Sequence, residues 1–294
     1  MKRKGPGGNP TIFEDHESLS PSELRFARVP KKPLGPEILA ALQTLLIPTT
    51  IAPTIPTPAE WAVTLGFIPD PVQARVLNST ASRLILLTTR QWGKSSVAAI
   101  RALWQAIFFT GSLILVVAPT QKQAAELTHK IYQFVERLGL QATGGGAGQL
   151  ALHLPNNSRI IGLPDMPQNI RGYSAPDLIL VDEAAFFHGD EILESLMPML
   201  ATRPDACIWL MSTPHSQSGF FYDAWRHPET AWTRISVTAA EIPNRISPEF
   251  LAAEQLRNPT KYLREYCCQF IALDDGLFNR DDLVDLLTDE VQSL

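Results

Sequence analysis

Cysteine is scarce in this chain: Cys207, Cys267 and Cys268 are the only three in 294 residues, with no CxxC pair among them. A disulfide framework and a cysteine zinc site are therefore excluded, and the thiols read as reduced. The histidines (His16, His129, His153, His188, His215 and His227) show no metal-ligand spacing. Positive charge is also lacking. The net charge is −5, so any contact with nucleic-acid phosphates must come from a local patch. No apolar run approaches the ~18 residues of a membrane helix. The opening "MKRKGPGGNP" passes from basic residues to Gly and Pro, where a signal peptide needs an apolar stretch. A soluble, cytoplasmic protein is expected, and no internal repeat is visible.

What is present is enough chain for a full core, with an ordinary hydrophobic share of 45%. Residues 1–58 are punctuated by proline and read as a flexible arm or linker, with one short helical pattern from Ile38 to Leu46. Residues 59–228 change character. Apolar runs of strand length (83–89, 112–120, 177–186 and 206–214) alternate with helical patterns (95–109 and 121–138). The stretch 149–163 alternates around Asn156-Asn157 and reads as a hairpin. This order predicts an α/β domain with a mainly parallel sheet covered on both faces. After Trp225 the apolar strand runs stop, and 229–275 reads as a small helical appendage. It holds "SPEFLAAEQLR", with a serine cap, and "PTKYLREYCCQFIA", which starts on proline. Residues 276–294 form an acidic tail.

Chemistry concentrates in "LILLTTRQWGKSSVAAI" (84–100). A Gly-Lys-Ser tripeptide alone is a weak signal, but this one leaves a buried strand and opens a helix. That geometry sets backbone N–H groups and the positive end of a helix dipole against phosphates. Lys94 can meet the β- and γ-phosphates of ATP, and the Ser95 hydroxyl can ligate Mg²⁺. Thr88 stands where the usual pattern has its first glycine. The glycine that matters most, Gly93 beside the lysine, is kept. Thr89, Arg90, Gln91, Trp92, Gly93, Lys94, Ser95 and Ser96 form the candidate nucleotide-binding run. Arg90 is a second cation; the tryptophans are most simply core and interface residues, though Trp92 inside the loop could pack against the nucleotide's neighbours.

The buried run Leu178–Val181 delivers Asp182 and Glu183 at its end. Adjacent carboxylates there are costly unless they meet a metal or a cation. Asp182 suits Mg²⁺ and Glu183 suits activation of the attacking water; the plainer reading is an acidic pair capping the next helix. Gln73 in "GFIPDPVQ" could pair with an adenine edge. Ser212 and Thr213 end the next strand, either as γ-phosphate sensors or as a simple turn. Arg171, in a Gly-containing loop, is either a surface charge or a finger for a transferring phosphate, in cis or across an interface.

Together, "TTRQWGKSS", "APTQKQA", "IRGYSAPDLILVDEAAF", "STPHSQSGFFYDAW" and "YLREYCCQFI" resemble the large terminase subunits of tailed phages, over about residues 60–275. Terminases typically lack the loop's first glycine, which accounts for Thr88. The resemblance implies a P-loop NTPase fold of the RecA-like, additional-strand, catalytic-glutamate type. Its implied task is to drive double-stranded DNA into a capsid, with portal protein and small terminase subunit as partners and a homo-oligomeric ring as the active form. By resemblance Lys94 and Ser95 match the phosphate and metal positions, and Asp182 and Glu183 the metal-binding and catalytic acids. Arg90 matches the loop arginine, Arg171 the arginine acting across subunits, and Ser212-Thr213 the coupling motif. The segment 229–275 matches the lid.

One departure stands out. Large terminases usually continue into an RNase H-like nuclease, whereas here the segment after the lid offers Asp281, Asp282 and Asp285 on a short helical pattern. The expected activity is ATPase without nuclease. Two rivals remain, a helicase-like ATPase and a non-catalytic protein that docks on a capsid portal. A helicase normally needs a second RecA-like domain, and the intact Lys94, Asp182 and Glu183 speak against the second rival.

Overall fold

A strand that is apolar at every position must be covered on both faces, and four such runs in one chain require a central sheet between two layers. The computed structural model describes residues 55–272, apart from 188, 202, 204, 228–230, 243 and 244. Helices α1 (Pro58–Thr64) and α2 (Pro71–Leu77) each begin on proline behind a capping box, Thr57 with Glu60 and Asp70 with Gln73. Strand β1 (Arg83–Thr88) runs through the Gly-Lys-Ser loop into α3 (Lys94–Phe108). Strand β2 (Leu113–Ala118) leads to α4 (Gln121–Arg137), which Thr120 caps by accepting from the Gln123 N–H. Next come β3 (Thr143–Gly144), β4 (Ala151–His153), β5 (Arg159–Pro164) and the short α5 (Pro167–Ile170). The acidic strand β6 (Leu178–Asp182) is followed by α6 (Glu191–Ala201), β7 (Cys207–Ser212) and α7 (Phe220–Arg226). Strand β8 (Thr233–Val237) precedes the helices α8 (Pro248–Arg257) and α9 (Pro259–Cys267).

The sheet has eight strands in the order β3-β4-β5-β2-β6-β7-β1-β8. From β5 to β8 all neighbours are parallel; β3 and β4 add an antiparallel margin. The expected hairpin is β4–β5, turned at Asn157 with φ 63°. Strand β7 lies between β1 and β6, so it is the additional strand that separates the loop strand from the acidic strand. Because the three are parallel, their C-terminal ends share one edge of the sheet, where ligands of such sheets bind.

Alternation within β1 shows the two layers. Leu84 and Leu86 pack under the helices α1 to α4, while Ile85 and Leu87 face α6 and α7. All four are essentially unexposed, and each such side chain stabilises the fold by roughly 1.5–3 kcal/mol.

Strand β8 corrects the expectation that strands end at Trp225. It pairs with β1 along Leu84–Thr88, so residues 233–237 complete the main sheet and do not belong to a helical appendage. Its sequence hides it: only Ile235 and Val237 are buried, and polar residues alternate with them, as suits an edge strand. Arg234 folds back to donate to the carbonyls of Trp225, Trp232 and Ala224. The helical pattern expected at 38–46 and the acidic tail at 276–294 lie outside the described residues. Among those described, no helix is long and apolar enough to cross a membrane.

Candidate functional site

Helix α3 begins at Gly93, which sits at φ 99° and gives no side-chain cap. Its first N–H groups are thus left for an external anion. The loop before it, from Thr88 to Lys94, lines a cavity of about 330 Å³ together with Gln123, Glu183, Phe186 and Thr213. A buried hydroxyl there, Thr88 Oγ1, has no hydrogen-bond partner. A second cavity of about 350 Å³ lies along α4, lined by Ser95, Asp182, Glu183, Gln123 and the polar face of that helix.

Lys94 stands between the two carboxylates. Its Nζ lies 3.1 Å from Asp182 Oδ1 and 2.7 Å from Glu183 Oε1. Burial works against its charge, but the attraction of Asp182 and Glu183 outweighs that and holds the lysine pKa above its ordinary value. Glu183 also accepts from Ser212 Oγ at 3.3 Å, which ties the acidic strand to the end of β7. Gln91 and Glu183 both adopt left-handed backbone, at φ 64° and 52°. Each such non-glycine costs about 1–3 kcal/mol, and such residues gather at functional sites. Among the described residues no group of three or more His, Cys, Asp or Glu side chains could hold a metal alone. The donor set Ser95 and Asp182 instead suits Mg²⁺ that arrives with phosphates and keeps its waters.

A family model described as the N-terminal part of the terminase large subunit, T4likevirus-type, matches residues 85–285. The chain belongs to the terminase large subunit family. The large terminase subunit of Thermus virus P23-45 is 30% identical over 262 residues, covering 76% of this chain and 53% of that one. This chain therefore spans about half the length of that relative. Among solved structures, the ATPase domain of the Thermus phage P74-26 large terminase matches with a TM-score of 0.60 at 24% identity, over 72% of this chain and 98% of that one. The large terminase of a thermophilic bacteriophage, solved in complex with ADP, matches with a TM-score of 0.58 at 11% identity, over 68% and 53%. These likenesses carry the fold, which is the expected α/β P-loop architecture.

In this terminase chain the fold brings together most of the residues singled out from sequence. Thr89, Arg90, Gln91, Gly93, Lys94, Ser95, Asp182, Glu183 and Thr213 line the two cavities, and Ser212 is one hydrogen bond away. Ser96 lines neither, being inside the first turn of α3. The structure decides between two readings of Trp92 and corrects one of Gln73. Trp92 is fully buried in the core under α3, the plainer of its two readings. Gln73 is also unexposed, and its amide is occupied within the protein: Nε2 donates to the Trp92 carbonyl at 2.7 Å, and Oε1 accepts from the Asp70 N–H and Arg245. It braces the loop and presents no edge to adenine. Arg171 is exposed and lines neither cavity.

Sequence reasoning missed four contributors. Phe186 stacks on His215 with ring centroids 4.5 Å apart, joining the turn after Glu183 to the one after Thr213. Burial, and then the nearby Arg264 charge, push the His215 pKa down. Glu265 of α9 pairs with Arg90 at 3.0 Å, and its backbone carbonyl accepts from Arg90 N–H and Thr89 Oγ1. Gln123 lines both cavities and had a signal, since it lies in "APTQKQA". Phe186, His215 and Glu265 lie in quoted motifs too, but nothing in those motifs tells that they meet at this site, because their contacts come from turns and from a helix far along the chain.

Proposed function

We propose that this chain is the ATP-hydrolysing motor of a phage packaging terminase, coupling ATP hydrolysis to movement of double-stranded DNA into a procapsid. The observation that carries this is Lys94 held between Asp182 and Glu183 at the uncapped start of α3, in a chain of the terminase family. ADP in the thermophilic phage relative, on the same fold, supports a nucleotide here.

The loop N–H groups and Lys94 bind the β- and γ-phosphates, and ATP gives Lys94 new partners in place of Glu183. Ser95 and Asp182 would hold Mg²⁺, which supplies neutralising charge at the phosphates. Glu183, released from Lys94 and steadied by Ser212, orients the attacking water and takes its proton. Arg90 adds charge at the cavity rim, and Thr213 faces the same cavity. Arg171, exposed and lining neither cavity, serves the ATP of a neighbouring copy in a homo-oligomeric ring. Portal protein and small terminase subunit are the other partners of this reading, and the host cytoplasm its setting.

Steady-state hydrolysis by the purified chain, with and without linear duplex DNA, tests the proposal. Turnover is expected, and both Lys94→Ala and Glu183→Gln should abolish it. Lys94→Ala should also lose ATP binding, whereas Glu183→Gln should retain it. Normal turnover in either variant would remove the assigned site.

A further inference from the structure

The turning residue of the nucleotide loop is gripped from behind. A Cβ placed on Gly93 would lie 3.1 Å from Gln73 Nε2 and 3.7 Å from Arg245 Nη1, so the loop packs directly on these two side chains. Gln73 Nε2 holds the Trp92 carbonyl at 2.7 Å, one peptide before that turn. The direction of the Gln73 amide is set by what reaches its oxygen: the Asp70 N–H at 3.0 Å and Arg245 Nη2 at 3.0 Å. A flipped amide would face both donors with a third. Arg245 also pairs with Asp70 Oδ2 at 3.3 Å, so one guanidinium addresses both members of the α2 capping box. Both contacts come from one nitrogen, Nη2, whose two N–H groups can each serve one acceptor.

Arg245 comes from the segment between β8 and α8, more than 170 residues along the chain from its partners. Its neighbours Ile242 and Ile246 are buried in the core on the α1–α4 side, which fixes where the arginine emerges. Its own side chain is 33% exposed. We propose that Arg245 is a positioning residue of the nucleotide site: acting through Gln73, it holds the Trp92–Gly93 peptide so that the first N–H groups of α3 face the phosphates. This rests on the reading of the loop as an ATP site. It makes the segment leading into α8 and α9 part of what prepares the loop for nucleotide.

Preorganisation of this kind acts on nucleotide already in the ground state, so its loss should raise KM more than it lowers kcat. The test uses Arg245→Ala, Arg245→Lys, Gln73→Ala and the Arg245→Ala/Gln73→Ala double variant in the full chain. ATP turnover gives kcat and KM, calorimetric titration with ADP gives Kd, and circular dichroism with Tm checks the fold. Losing a hydrogen bond to a charged group predicts KM and Kd raised about tenfold in Arg245→Ala. Expected with it are little change in kcat, an intermediate Arg245→Lys, and a double variant no worse than Gln73→Ala alone. Should Arg245→Ala fail to fold, Arg245→Lys carries the same split between KM and kcat. Unchanged KM and Kd in folded Arg245 variants, or effects of Arg245 and Gln73 that simply add, would overturn the positioning role. A wild-type chain that neither turns over ATP nor binds ADP would instead overturn the ATP reading itself.

Discussion

The Gly-Lys-Ser loop is held from two sides built on different principles. On one side β1, β6 and β7 are apolar along nearly their whole length, buried in the middle of the sheet, and end in Thr88, Asp182 and Ser212. On the other side the half-polar edge strand β8 and the helices α8 and α9 reach the loop through single contacts: Thr89 N–H to the Val237 carbonyl, Arg90 to Glu265, and Arg245 to Gln73. The first side fixes the reacting groups by packing that no single bond controls. The second is a set of separable polar links, and such links can be exchanged when a ligand offers alternatives. The buried side suits a rigid platform, and the side of β8, α8 and α9 suits a part that can move.

The sharpest way to separate the two sides compares their glutamates. Glu183→Gln should lower turnover by about 10²–10⁴-fold, as loss of a general base does, while ATP still binds. Glu265→Gln keeps shape and removes the buried charge that Arg90, Lys261 and Arg264 share; it should lower stability by about 1–3 kcal/mol and leave turnover measurable. Equal losses in the two variants would break the distinction. Core truncation comes next. Leu86→Ala at the centre of the sheet should cost about 3–5 kcal/mol by denaturant unfolding, and Ile235→Ala on the edge strand about 2 kcal/mol. An edge cost matching the central one would mean that β8 belongs to the platform.

A smaller, conditional effect concerns Arg171. Mixing Arg171→Ala chains with Glu183→Gln chains should restore part of the hydrolysis each lacks alone, if the arginine serves a neighbour. Inactivity at every ratio, with wild-type assemblies active, would end the role across subunits. The smallest effect is chemical. Burial pushes the Cys268 thiol up to about 12, and at the end of α9 its Sγ donates to the Val237 carbonyl. At pH 8 iodoacetamide should therefore label the half-buried Cys267 well before Cys268. Because the folded pKa lies above the free value of about 8.5, this thiol's share of stability is intact below that pH and is lost as pH rises toward about 12. Early labelling of Cys268 would show that this end of α9 opens freely.

How much was legible follows the same division. Continuous apolar runs revealed β1, β2, β6 and β7, and with them the positions of Lys94, Ser95, Asp182, Glu183 and Ser212, because a strand buried on both faces must be apolar throughout. Strand β8 was not legible: a strand of five residues with two buried side chains resembles a polar loop. Trp92 and Gln73 both lie at the loop but turn inward, a direction that sequence does not tell.

The sequence by itself determined the parallel α/β sheet, the strand–loop–helix unit around Lys94 and the acidic pair, because burial period, strand–loop–helix order and the glycine beside Lys94 are local properties. Only the tertiary structure decided what surrounds them. It turned Trp92 into the core and gave Gln73 to the loop backbone. It also brought Arg245 to Gln73, 172 positions away, and Glu265 to Thr89, 176 positions away. Such contacts depend on how the chain returns across the sheet edge, and nothing in either segment alone specifies its partner.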